Sequence, residues 1–308
     1  MKNFINISDH SSNDLRTIID EAKARKLNRQ NLNKSAPDED KPFEGKSMAM
    51  IFEKPSTRTR MSFDIAIKQL GGSSIILNPD GIHYGKGDET LKDTAKVLTE
   101  YVDIVMLRTS SHKNLEEFGK HLNIPIINGL SDIGHPCQIM SDILTYEESN
   151  GIIEGKTVAW LGDGNNNMSN SLIEAAGKFK FNLRIACPKK YSPNKKLLSW
   201  AKKNKVKLIV TTKPDEAVKG SDCVMTDKWV SMNDKVNKKE KKKILNPFQV
   251  NKKLMSKANS DAVFMHCLPV GRGEEVTDEV IDGKQSVVWR QALNRVHAQK
   301  SIIKWCLD

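Results

Sequence analysis

The chain has 308 residues, a hydrophobic fraction of 38% and a formal net charge of +11. This length exceeds the usual size of a single domain, so we expect two domains of roughly 100 to 200 residues each. No apolar run approaches the roughly 20 residues that cross a bilayer, and the polar N-terminus lacks the apolar core of a secretory signal. We therefore expect a cytoplasmic protein with no membrane partner.

Cysteine spacing and charge exclude further classes. The five cysteines are widely scattered and form no C-x-x-C pair, which argues against a disulfide framework or structural zinc, and we expect no metal and no cofactor. The positive charge raises the hypothesis of a nucleic-acid-binding protein. However, the densest lysine run, 235–243, contains no aromatic residue for base stacking, so we expect a solvated surface and no specific nucleic-acid partner.

The first half of the chain alternates predicted helices and strands. Apolar residues in 12–27 recur at helical spacing and predict the first helix. Predicted strands follow at 48–52, 74–77, 103–107 and 125–127, with predicted helices at 61–70, 90–101 and around 115–122. This alternation is typical of a parallel sheet covered by helices on both faces.

The alternation restarts after Gly151. Predicted strands lie at 157–161, 183–186, 208–211, 223–226 and 263–266, and the predicted helices include 139–150, 167–179 and 291–307. We therefore predict an α/β fold of two doubly wound parallel-sheet domains linked by helices. The predicted domains are 1–145 and 146–290, and the C-terminal helix 291–308 is expected to pack back on the first.

A run of hydroxyls and guanidiniums follows the predicted strand 48–52: Ser56-Thr57-Arg58-Thr59-Arg60. It lies at the start of a predicted helix, where backbone N–H groups are unpaired and attract anions. A single hydroxyl would be explained as a helix cap, but the whole run is not. The segment therefore predicts a phosphate site beyond the end of the strand.

This run and its preceding residues, 52–60, resemble the carbamoyl-phosphate signature of the aspartate/ornithine carbamoyltransferase family. The resemblance continues with Arg108 after a predicted strand and with His135-Pro136-Cys137-Gln138, which is similar to the H-P-x-Q element of the ornithine branch. It implies that Arg108 and His135 contact the carbamoyl oxygen and Gln138 the carbamoyl amide. The implied phosphate ligands are Ser56, Thr57, Arg58 and Thr59.

The second half offers a turn, Gly162 to Met168, between a predicted strand and a predicted helix. A dinucleotide-binding turn would need a third glycine and an acidic residue after the next predicted strand, and both are missing. The turn resembles the ornithine-domain turn of the family, which implies that Asn167 contacts the amino-acid carboxylate. An extra asparagine in the turn leaves Asn166 as an alternative.

Three later segments extend the resemblance. The run 227–232 is similar to the family's D-x-W-x-S-M loop, implying that Asp227 pairs with the substrate α-ammonium while Ser231 and Met232 hold the amino acid. The run 266–269 resembles an H-C-L-P element, placing Cys267 and Leu268 beside carbamoyl phosphate and the substrate amine. Within 291–297, Arg295 resembles the last carbamoyl-phosphate contact. Two positions depart from the family pattern: Asn233 replaces a glycine and Leu293 a glutamate.

One further resemblance concerns assembly. The segment 82–90 corresponds to a loop that a neighbouring subunit contributes, with His83 as its carbamoyl-phosphate contact and an inserted residue near Lys86 to Asp88. This implies a homotrimer with shared active sites, consistent with cyclic symmetry.

The resemblance as a whole implies an enzyme that transfers the carbamoyl group of carbamoyl phosphate to the side-chain amine of L-ornithine, giving L-citrulline and phosphate. Its implied catalytic residues are Arg58, Arg108, His135 and Cys267. Putrescine, lysine and aspartate are the alternative acceptors, of which the H-P-C-Q form disfavours aspartate. Arginine biosynthesis and citrulline catabolism both remain open.

Overall fold

The computed structural model describes residues 2–78, 89–230 and 237–308 and arranges its strands in two parallel sheets. One unit comprises Met1–Ser141 with Leu293–Asp308, and the other comprises Asp142–Ala292. This architecture confirms the predicted fold class of two parallel-sheet α/β domains.

The first unit contains a four-stranded sheet in the order β2-β1-β3-β4. Its strands are β1 (Ser47–Phe52), β2 (Ser73–Leu77), β3 (Ile104–Arg108) and β4 (Ile126–Leu130). Its helices are α1 (Ser12–Leu27), α2 (Thr57–Gln69), α3 (Leu91–Tyr101) and α4 (His112–His121), and α5 (Pro136–Asn150) continues into the second unit. The central strand β1 is buried over Met48–Phe52, as expected for a parallel strand covered on both faces.

The second unit contains a five-stranded sheet in the order β7-β6-β5-β8-β9. Its strands are β5 (Thr157–Leu161), β6 (Asn182–Ala186), β7 (Leu208–Thr211), β8 (Cys223–Thr226) and β9 (Val263–His266). Its helices are α6 (Asn167–Phe179), α7 (Lys195–Lys203), α8 (Pro214–Val218), α9 (Lys238–Leu245), α10 (Lys252–Met255) and α11 (Asp278–Ile281), and α12 (Val288–Leu307) continues into the first unit. Every residue of β5 is buried.

Strand order determines where each unit can bind a ligand. In the first sheet, the chain moves from β1 to β2 on one side and then returns to β3 on the other, so β1 and β3 flank the switch point. In the second sheet the same reversal lies between β5 and β8. Open α/β sheets bind ligands beyond the carboxyl ends of the strands at such points. The residues after these strands are therefore the first candidates for a site.

Two local features differ from the sequence expectation. Helix α2 begins at Thr57 rather than at residue 61, because its first turn is polar and contributes nothing to the apolar periodicity. The lysine run was expected to be solvated, and most of its described members are, but Lys241 on α9 is only 5% exposed. Among the described residues, no helix is both long and apolar enough to cross a membrane.

Candidate active site

The candidate site of the first unit lies at the N-terminus of α2. Ser56 is the N-cap, and its Oγ accepts a hydrogen bond from the backbone N–H of Thr59 at 3.4 Å. The Ser56 hydroxyl therefore caps a free backbone N–H of its own helix. Thr57 and Arg58 occupy the first turn beside it. The arrangement is that of an anion-binding helix end with guanidinium and hydroxyl groups added.

The side chain of Thr59 is the point where two arginines meet. It is 1% exposed, and its Oγ1 accepts hydrogen bonds from Arg108 at 3.1 Å and from Arg295 at 2.8 Å. Arg295 also donates to Oε1 of the buried Gln138. One hydroxyl and one amide oxygen, both neutral, thus hold two cations at the same place. Arg108, Gln138 and Arg295, predicted separately from distant segments, are brought together here.

Strand pairing explains how Arg108 reaches the helix. It ends β3 opposite Phe52, the last residue of β1, and its carbonyl accepts the backbone N–H of Glu53 at 2.9 Å. The loop before α2 is therefore fixed to the end of β3. Arg60, the other guanidinium of the predicted anion site, is directed elsewhere: it donates to Asn78 Oδ1 at 2.7 Å and lies 5.3 Å from the centre of the Phe52 ring.

His135 is buried beside these arginines. Burial lowers the pKa of the imidazole well below its usual value, and the positive charges of Arg295, Arg108 and Arg58 lower it further. The ring is therefore neutral at physiological pH. The next residue but one, Cys137, is fully buried and donates to the Asn128 carbonyl at 3.4 Å, and burial raises the pKa of its thiol to about 12. Cys137 is thus a core residue.

The second unit brings Asp227 and Cys267 together. Asp227 follows β8 and Cys267 follows β9, and these strands are neighbours. The Cys267 Sγ donates to Asp227 Oδ1 at 3.1 Å, and the same carboxylate oxygen accepts the Lys228 N–H at 2.7 Å. Both side chains are partly exposed. The pair offers a fixed carboxylate with a neutral donor beside it.

The element 266–269 has an unusual backbone. Leu268 adopts a left-handed backbone conformation with φ of +58°, which is strained for a residue other than glycine. Its N–H donates to Nδ1 of His266 at 2.9 Å, while Nε2 of His266 lies 3.2 Å from Glu275 Oε1, and both side chains are fully buried. His266 therefore holds the turn that carries Cys267 and Leu268.

The thiol of Cys267, the carboxylate of Asp227 and the imidazole of His266 each place a possible ligand atom within 4.8 Å of the others. Both ring nitrogens of His266 are already hydrogen-bonded, to Leu268 and Glu275. Metal binding by all three side chains would require His266 to give up one of these bonds.

The turn after β5 distinguishes the two asparagines left open by the sequence. Asn166 is the N-cap of α6, and its Oδ1 accepts the N–H of Ser169 at 2.8 Å in a capping box. Asn167 occupies the first position of the helix. Gly164 is required here because a Cβ at this position would lie 2.9 Å from the Tyr191 carbonyl oxygen and from Cys187 Sγ. The glycine therefore serves close packing rather than dinucleotide binding.

Several predicted contacts lie outside the described residues: His83, with the neighbouring 86–88 insertion, and Ser231, Met232 and Asn233. Sequence reasoning also missed two side chains. Asp163 in the β5 turn and Lys241 on α9 form an ion pair of 2.6 Å, with exposed fractions of 8% and 5%. The signal was present in the sequence, since Lys241 stands four residues before the buried Leu245 and so shares its helix face.

Comparison with known proteins divides the chain in a similar way. Residues 2–148 match the family model described as the carbamoyl-P binding domain of aspartate/ornithine carbamoyltransferase, and residues 154–306 match its Asp/Orn binding domain. A curated ornithine carbamoyltransferase from Brucella ovis is 50% identical over all of this chain and 96% of its own length. One from Nitrobacter winogradskyi is 51% identical, covering 99% of this chain and 97% of its own.

Solved structures agree. Ornithine carbamoyltransferase from Pyrococcus furiosus superimposes with a TM-score of 0.92 at 42% identity, covering 99% of this chain and 97% of its own. The structure described as anabolic ornithine carbamoyltransferase from Campylobacter jejuni gives a TM-score of 0.92 at 36% identity and covers 99% of each chain. The chain therefore belongs to the aspartate/ornithine carbamoyltransferase family.

Proposed function

We propose that this enzyme transfers the carbamoyl group of carbamoyl phosphate to the side-chain amine of L-ornithine, releasing L-citrulline and phosphate. The observation that carries the proposal is the convergence of Arg108 and Arg295 on Thr59 Oγ1 at the N-terminus of α2. A small, doubly charged phosphate donor complements this concentration of positive charge.

Carbamoyl phosphate occupies the first unit. Its phosphate is held by the first turn of α2, through Ser56, Thr57, Arg58 and Thr59, with Arg295 beside them. Arg108 and the neutral His135 face the carbamoyl oxygen, and Gln138 its amide. Attack on the carbamoyl carbon places negative charge on that oxygen, and one fixed donor aimed there contributes about 2.7 to 4 kcal/mol to catalysis.

Ornithine occupies the second unit. Asp227 pairs with the α-ammonium and Asn167 contacts the carboxylate, because the side-chain oxygen of Asn166 already caps α6. Cys267 and Leu268 lie by the reacting groups, and Ser231 and Met232 complete the amino-acid contacts. A fixed carboxylate favours an α-amino acid over a diamine such as putrescine.

The reaction needs a neutral amine. Freeing an amine with a reference pKa near 10.4 costs about 4 to 5 kcal/mol at pH 7, so turnover rises with pH above neutrality. The amine nitrogen forms a bond to the carbamoyl carbon, the carbon–oxygen bond to phosphate breaks, and the amine proton leaves with phosphate or solvent. Neither a covalent intermediate nor a metal is needed for this step.

We further propose a homotrimer in which a neighbouring copy contributes His83 to each site. The edge strand β2 leaves Ile75 48% exposed and Ile76 37% exposed, and unpaired apolar edges are normally covered. Light scattering should give about three times the chain mass of 34.6 kDa. Mixing Arg58→Ala with His83→Ala protein after dissociation should restore part of the activity, since some hybrid sites contain neither substitution. No recovery would rule out sharing.

We place the enzyme in the cytoplasm and in arginine biosynthesis. Cys137, Cys187, Cys223 and Cys306 are buried free thiols, which suits a reducing compartment. The biosynthetic direction is supported by likeness to the Campylobacter jejuni structure described as anabolic.

The deciding experiment is a colorimetric citrulline assay on purified protein with carbamoyl phosphate and a panel of acceptors. We expect ornithine to be used in preference to lysine, putrescine and aspartate by at least about 100-fold in kcat/KM, as for a site whose polar groups match one substrate. Preference for another acceptor would overturn the ornithine assignment, and no product with any acceptor would overturn the reaction itself.

A further inference from the structure

The ion pair between Lys241 and Asp163 is a buried charged contact of the second unit that the proposed chemistry leaves unexplained. Lys241 Nζ lies 2.6 Å from Asp163 Oδ2, and also 5.1 Å from the centre of the Tyr191 ring. Its neighbours Lys238, Lys239 and Lys243 are exposed. Burying a charged lysine is unfavourable unless an opposite charge pairs with it, and Asp163 supplies that charge for Lys241.

Asp163 shapes the turn that leads to Asn167. Its second carboxylate oxygen, Oδ1, accepts the N–H of Asn165 at 2.9 Å, and its carbonyl accepts the Trp160 Nε1–H at 3.0 Å. The turn then enters the α6 cap at Asn166. One oxygen of Asp163 therefore sets the turn, and the other is held by Lys241.

The same turn is also packed against Tyr191, the residue whose ring lies beside Lys241. The N–H of Gly164 donates to the Tyr191 carbonyl at 2.9 Å, and the missing Cβ of Gly164 allows this approach. Lys241 thus holds a carboxylate inside a turn that has little room to move. If Lys241 were neutral, that carboxylate would stay buried and unpaired close in sequence to the helix N-terminus.

We infer that Lys241 is a positioning residue for the amino-acid substrate: it neutralises and holds Asp163, so that the N-terminus of α6 can receive the substrate carboxylate. The inference rests on the proposed role of Asn167 in ornithine binding. Helix N-termini favour anions, and an unpaired carboxylate nearby would oppose that preference. The effect belongs to ornithine and leaves carbamoyl phosphate, held by the other unit, unchanged.

The test is a set of four variants assayed with both substrates varied. Lys241→Met should raise the KM for ornithine at least about tenfold and change the KM for carbamoyl phosphate less than about twofold. Lys241→Arg, which keeps the charge, should restore most of the ornithine KM. Lys190→Met is the matched control, because Lys190 forms a 3.0 Å ion pair with Glu240 of the same helix, but with both side chains more than half exposed. It should leave both KM values within about twofold.

The fourth variant, Lys241→Met with Asp163→Asn, removes both charges and keeps an oxygen for the Asn165 N–H. It should fold even if the single variant does not, and its ornithine KM should stay within about threefold of wild type. A double variant as impaired as Lys241→Met would overturn the neutralising role. So would equal changes in both KM values, or unchanged values throughout. Wild-type protein that forms no citrulline would instead refute the proposed function.

Discussion

The proposed carbamoyl-phosphate site of the first unit is made of long cationic side chains, whereas the proposed ornithine site of the second unit is made of turns and short side chains. In the first unit, Arg108 and Arg295 converge on the single hydroxyl of Thr59. In the second, Asp227 and Cys267 meet at the ends of neighbouring strands, and the turn at 162–166 is fixed by hydrogen bonds and by the Asp163–Lys241 pair.

The two proposed ligands, carbamoyl phosphate and ornithine, explain this difference. A bound phosphate dianion would neutralise the repulsion between neighbouring arginines. The first unit can therefore concentrate cations, which neutral acceptors hold until the anion binds. Burial lowers the pKa of His135, and the positive charges of the first unit lower it further because they oppose protonation of the ring. A zwitterionic amino acid carries both signs, so the second unit needs separate, accurately placed groups. In the function we propose, charge therefore dominates recognition in the first unit and geometry dominates it in the second.

The largest expected effect concerns Arg58. Arg58→Ala should lower kcat by about 100- to 1,000-fold, because it removes a guanidinium from the phosphate, the leaving group that takes up negative charge as its bond to carbon breaks. Steady-state assays with circular dichroism would separate this from misfolding. Arg60→Ala is the control from the same helical turn: its guanidinium binds Asn78 and Phe52, so we expect less than about a fivefold change. Equal losses in both variants would mean that net charge, rather than a specific arginine, drives catalysis.

A comparable test for the second unit is Asp227→Asn. The substitution keeps the size and one acceptor oxygen but removes the charge, so the KM for ornithine should rise by about 10- to 100-fold. The KM for carbamoyl phosphate should stay within about twofold. A rise in the latter would show that the two units do not divide the substrates as we describe.

Thr59 offers a smaller and more specific test. Thr59→Val removes the hydroxyl shared by Arg108 and Arg295 without changing the side-chain size, and should raise the KM for carbamoyl phosphate about tenfold. Thr59→Ser retains the hydroxyl and should remain within about twofold. If the serine variant is as impaired as the valine variant, the methyl packing of Thr59 matters more than its oxygen.

The smallest effect concerns stability and pH. The folded state lowers the pKa of His135 below the value near 6.5 of the unfolded chain, so below about pH 6.5 the unfolded state takes up a proton first. The free energy of unfolding should fall with decreasing pH, by at most about 1.4 kcal/mol per pH unit from this group. His297, whose pKa burial lowers to about 3, acts in the same direction.

His135→Gln should therefore flatten, but not abolish, the decrease between pH 6.5 and 5. Urea unfolding curves recorded at several pH values would measure the slope. An unchanged slope would mean that His135 is protonated in the folded protein, and burial together with the neighbouring arginines would then lower its pKa less than we infer.

The sequence by itself determined the two sheets and identified most residues of the candidate site. Strands such as 157–161 and 223–226 coincide with the observed ones, because near-continuous apolar runs bounded by polar turns identify buried parallel strands. The hydroxyl and guanidinium run at 56–60 identified a helix N-terminus, since local backbone chemistry alone makes such an end attract anions. Resemblance in the order of motifs then supplied Arg108, His135, Gln138 and Arg295.

Tertiary structure decided which atoms meet. That Arg108 and Arg295 share Thr59, while Arg60 turns to Asn78, depends on strand register and on the placement of α12, which no local pattern records. The burial of Lys241 against Asp163 also depends on packing, whereas the sequence pattern of the lysine run predicted an exposed side chain. Contacts between residues far apart in sequence depend on packing, and packing is a property of the folded chain rather than of any segment.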